Sequence, residues 1–70
     1  MAEKQVILFL KDKREMQSDF VDAGEAQRLL EDEVFPKMGK HGAIKLPGVV
    51  AQAPEVVGAQ LRNAPSFGIA

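Results

Sequence analysis

Few side chains in this sequence can do acid–base or nucleophilic chemistry. Its one histidine, His41, stands between Lys40 and Gly42 in a stretch that reads as an exposed loop. A general base needs an orienting partner and a sheltered site, and the neighbouring residues signal neither. Ser18 and Ser66 are the only hydroxyl nucleophiles, because threonine and tyrosine are absent. Ser18 falls in a strand pattern and Ser66 near the C-terminus, each far in sequence from His41, so no nucleophile–base pair is apparent. Cysteine is absent, which removes disulfides and thiolate metal sites. The acidic run Glu31-Asp32-Glu33 sits in a helical pattern, where consecutive residues diverge and cannot hold one ion together. Gly39-Lys40-His41-Gly42 has glycines and a lysine but lacks the spacing of a phosphate-binding loop, and a strand follows it rather than a helix. The sequence therefore predicts no enzyme: no catalytic residue, no metal ligand set and no cofactor site.

The elements that carry these residues are organised around the unbroken apolar run at positions 6–10, Val-Ile-Leu-Phe-Leu. Its β-branched and aromatic residues suit a strand, and it is far shorter than the roughly 20 apolar residues of a membrane-spanning helix. Residues 4–11 form the first strand, with Val6, Leu8 and Leu10 on one face and Ile7 and Phe9 on the other. Asp12-Lys13 reads as a two-residue turn. Residues 14–21 then alternate, Met16, Ser18 and Phe20 against Glu15, Gln17 and Asp19, as a half-exposed strand pairing antiparallel to the first. Asp22 is a good N-cap, Glu25 completes a capping-box pattern, and Val21 and Ala26 are placed to staple the helix start. Ala26, Leu29, Leu30 and Val34 make an apolar helical stripe. Pro36 disfavours helical geometry at Phe35, so the helix is expected to end near Val34 or Phe35. Residues 43–46 and 49–52 read as extended, either as one bent strand or as two around Pro47-Gly48. Residues 56–61 form a last strand.

These elements predict an α+β fold, a two-layer ββαββ sandwich of an antiparallel sheet with one helix packed on one face. A single domain spans residues 4–62, and residues 63–70 read as a mobile tail. Seventy residues bury only about 60% of their unfolded surface, and without disulfides oligomerisation is the remaining way to add stability. Nine basic and ten acidic residues give a net charge of −1, with no global attraction to nucleic acid or anionic lipid. No signal-peptide pattern is present, and a soluble cytoplasmic protein away from membranes is expected.

One helix covers one face of a sheet. The first strand is apolar on both faces, so Ile7 and Phe9 are expected to form an interface with a protein partner or with a second copy of the chain. Phe67 and Ile69 in the tail are further interface candidates. The expected chain direction also gathers Lys11, Lys13, Arg14, Lys37, Lys40 and His41 at one pole, where a phosphate backbone could be held. The acidic exposed side of the helix and the absence of tryptophan and tyrosine make nucleic-acid binding the alternative rather than the leading reading.

The runs Val-Ile-Leu-Phe-Leu-Lys-Asp-Lys-Arg-Glu from position 6, Asp-Ala-Gly-Glu-Ala from position 22, Leu-Pro-Gly-Val-Val from position 46 and Pro-Glu-Val-Val from position 54 together resemble small uncharacterised proteins of bacteriophages and prophages. That resemblance implies a hairpin, a helix and a final strand pair. It also implies an accessory protein, a regulator or inhibitor of a larger host machine, that works by binding. It carries over no functional residue.

Overall fold

The computed structural model describes residues 3–63. The elements in order are β1 (Glu3–Leu10), β2 (Glu15–Gln17), β3 (Val21–Asp22), α1 (Ala23–Leu29), a π turn (Leu30–Val34), α2 (Phe35–Lys37), β4 (Ala43–Leu46), β5 (Val49–Gln52), a 3-10 turn (Ala53–Glu55) and β6 (Val56–Asn63). This is a small α+β fold of antiparallel sheets with one helical segment. β1 is the middle strand: β6 pairs along one side of it, and β2 and β3 share the other. β4 and β5 form their own two-stranded sheet. The strand count thus exceeds the ββαββ pattern, because the second strand is broken in two and residues 43–52 are a separate hairpin rather than one bent strand. Asn63 belongs to β6, so the strand runs one residue past the expected domain limit. Phe67 and Ile69 lie outside the described residues.

The first hairpin turns through three residues, not two. The Lys13 N–H donates to the Leu10 carbonyl at 3.0 Å, and the Leu10 N–H donates to the Arg14 carbonyl at 2.9 Å. Lys13 takes a φ of +71°, the left-handed position that glycine normally fills in such a loop. Asp12, expected to tolerate that conformation, instead accepts from the Arg14 N–H at 3.2 Å and from its Nε at 2.6 Å.

The second strand carries a one-residue bulge. Ile7 lies opposite Gln17 and Leu8 opposite Met16, whereas Lys4 lies opposite Val21 and Glu3 opposite Asp22. One extra residue is therefore held between Ser18 and Val21. It flips the alternation, so Val21 packs on the core beside Met16, while Phe20, expected to share the face of Met16, is exposed. Ser18 repairs the ladder at this point. Its N–H donates to the Val6 carbonyl, but the Val6 N–H donates to the Ser18 Oγ rather than to its carbonyl, each at 2.9 Å. The freed Ser18 carbonyl accepts from the Gln5 amide nitrogen at 2.9 Å, and the hydroxyl donates to the Asp19 carbonyl.

Asp22 caps the helix by accepting from the Gly24 N–H at 3.0 Å. Glu25 does not close the capping box, because its carboxylate is held by Arg28 one turn on. α1, the π turn and α2 form one continuous helix of 15 residues that runs past Pro36. Proline lacks an N–H, and its ring crowds the carbonyl four residues earlier. The widened π turn, closed by the Phe35 N–H donating to the Leu30 carbonyl, makes the room. Phe35 therefore keeps helical angles (φ −60°, ψ −42°) despite preceding proline.

The helical stripe Ala26, Leu29, Leu30 and Val34 is buried against Val6, Leu8 and Leu10. Ile44, Leu46, Ala51, Ala53 and Val56 complete the same core. Each large, fully buried side chain among them contributes about 1.5–3 kcal/mol. Pro47-Gly48 turns the β4–β5 hairpin, with Gly48 at φ +81°. The Asp19 N–H donates to the Pro47 carbonyl at 2.8 Å, and the Asp19 carboxylate lies where a Cβ on Gly48 would sit, with its Oδ1 2.5 Å away. The hairpin is thereby docked on the bulge, beside the β2 edge of the larger sheet.

Candidate functional site

The sheet face away from the helix carries Gln5, Ile7 and Phe9 from β1, Glu15 and Gln17 from β2, and Gly58, Gln60 and Arg62 from β6. Ile7 was expected to be exposed here. It has no accessible surface within the single chain. The register gives the reason. Gln17 and Gln60 stand directly opposite it on either side, and the Glu15 carboxylate and Arg62 guanidinium, 3.9 Å apart, approach each other diagonally across β1. Long polar side chains thus roof an apolar centre. Phe9 is half-buried and lies across Gly58, its Cδ2 3.6 Å from the position a Cβ there would take. The other exposed large apolar residues are Phe20, Phe35, Val50 and Val57, in separate parts of the chain. The accessible apolar surface that β1 gives this face is that of Phe9, not of Ile7.

The 3-10 turn collects the basic pole. The Lys11 N–H donates to the Glu55 carbonyl, the Gly39 N–H to the Ala53 carbonyl and the Ala53 N–H to the Gly42 carbonyl, each at 2.9 Å. The first hairpin turn and the loop after the helix therefore meet the same short segment. Arg14 is paired with Asp12, and Lys37 with Glu33 at 2.7 Å. Lys11, Lys13 and Lys40 are exposed and in no ion pair among the described residues, and His41 is exposed beside them. Glu33 also accepts from the Lys45 N–H at 3.1 Å, tying the helix to β4. The Lys37 ammonium and this N–H hold its carboxyl below the usual carboxylate range. Asp12, Glu33 and Glu55 intersperse the cations, which dilutes the positive field at this pole.

The residues first considered for chemistry are placed elsewhere. The Ser18 hydroxyl is buried and committed to Val6 and Asp19, so its role is structural. Ser66 lies outside the described residues. The acidic run diverges: Glu31 accepts from Gln27, Glu33 turns to Lys37 and β4, and Asp32 is exposed. Among the described residues there is no group of three histidine or carboxylate side chains placed to hold a metal, and no cavity. No helix among them is long and apolar enough to cross a membrane.

The pairing pattern brings out a site that the sequence reading passed over. The backbone groups of Val6 and Leu10 turn toward β2, as their bonds to Ser18 and Arg14 require. By the alternation of an antiparallel ladder, those of Gln5, Ile7 and Phe9 turn toward β6. Their partners Arg62, Gln60 and Gly58 then turn toward β1, and the N–H and C=O groups of Ala59 and Leu61 point outward. No described strand pairs with that outer edge. Natural edges are blunted by charged residues, lysine above all, by proline, by bulges or by brevity; β6 is eight residues long and lacks lysine and proline, and of these devices it carries Arg62 and a bulge. Its one irregularity is a bulge at Val57, where the register with β1 shifts, and that side chain is 58% exposed. The absence of lysine and proline from positions 56–63 was the available sequence signal. No protein family, characterised protein or solved structure matches the chain.

Proposed function

We propose that this protein is a non-enzymatic binding module for another polypeptide, and that the outer edge of β6 is where it binds. The observation that carries the reading is the row of outward backbone groups at Ala59 and Leu61 on an eight-residue strand whose outer edge pairs with no described strand. An extended segment added there gains main-chain hydrogen bonds, and Val57 and the half-buried Leu61 supply apolar contacts beside them. Phe9, lying over Gly58 one strand away, extends the contact onto the sheet face. The test is an NMR titration of the full chain with short synthetic peptides of alternating valine and threonine. Strand addition shifts the amides of Ala59 and Leu61, and the binding survives a rise in salt. Shifts confined to other elements, or none, would remove the reading.

A second reading, a nucleic-acid contact, rests on the free cations Lys11, Lys13 and Lys40 drawn together around the 3-10 turn. It differs in salt dependence: binding of a DNA or RNA oligomer there weakens steeply as salt rises. The interspersed carboxylates favour the first reading.

A further inference from the structure

We draw no further inference here: the strongest candidate, the outer edge of β6 around Ala59 and Leu61, belongs to the site already described, and nothing in the structure shows which polypeptide covers it.

Discussion

Replacing Ser18 with alanine tests the ladder repair at the bulge. The Val6 N–H is buried in the middle strand, and its acceptor is the Ser18 Oγ at 2.9 Å. The Ser18 carbonyl, the ordinary acceptor in an antiparallel pair, is occupied by Gln5 at 2.9 Å. Ser18→Ala therefore strands a buried donor, which costs about 1–3 kcal/mol, and the site is too enclosed for water to substitute freely. The hydroxyl's own bond to the Asp19 carbonyl is lost as well. A loss of about 2 kcal/mol is large for a chain whose whole stability is of order 0.05–0.15 kcal/mol per residue. With a urea m-value near the low end for small proteins, about 1 kcal/mol/M, the unfolding midpoint falls by about 2 M. The assay is equilibrium urea unfolding followed by circular dichroism, with the Val6 amide read by hydrogen exchange. A midpoint change below about 0.5 M at unchanged m would refute the reasoning, because the Val6 N–H would then have found another acceptor.

Three further outcomes follow from the same contacts. Lys13→Gly relieves a side chain held at φ +71° and is expected to stabilise the fold by about 1 kcal/mol, seen as a rise of about 4–8 °C in thermal midpoint. Gly48→Ala is expected to cost at least about 1–2 kcal/mol, because the left-handed φ of +81° is unfavourable for alanine and its Cβ would strike the Asp19 carboxylate; Asp19→Ala in the same chain should recover part of that loss in urea unfolding. Because the Glu33 carboxyl is held below its unfolded value, its contribution is present above the unfolded carboxylate range and is lost as pH falls through the lowered folded value; Glu33→Gln should therefore be less stable at neutral pH and show a smaller drop between neutral pH and pH 3.

Much of the architecture is legible in the residue pattern. The helix announces itself through Asp22 and through the stripe Ala26, Leu29, Leu30 and Val34, because capping chemistry and a 3.6-residue period are local properties. The bulge is not legible. Met16, Ser18 and Phe20 continue an unbroken alternation, and only the pairing with β1 reveals the extra residue. The rule that proline disfavours a helical residue before it misplaces the helix end for a similar reason, since the π turn depends on packing rather than on the local sequence. Ile7 shows the limit at the site itself. Apolar residues on two faces do signal a strand needing two covers, but glutamines and a Glu15–Arg62 pair on neighbouring strands can supply the second cover, and register decides which residues those are. Whether residues 56–61 form an inner or an outer strand is equally a matter of pairing, so the absence of lysine and proline there gains meaning only once the strand order is known.

The π turn at Leu30–Val34 also sets how the chain tolerates length changes. A five-residue turn is a regular helix with one surplus member, so excising a residue there would leave the stripe on either side in phase. The widened turn is what accommodates the ring of Pro36, however, and an excised chain would need another residue in its place. Insertion and proline are thus a linked pair: excision alone is expected to fray the helix end, and excision together with replacement of Pro36 to restore it.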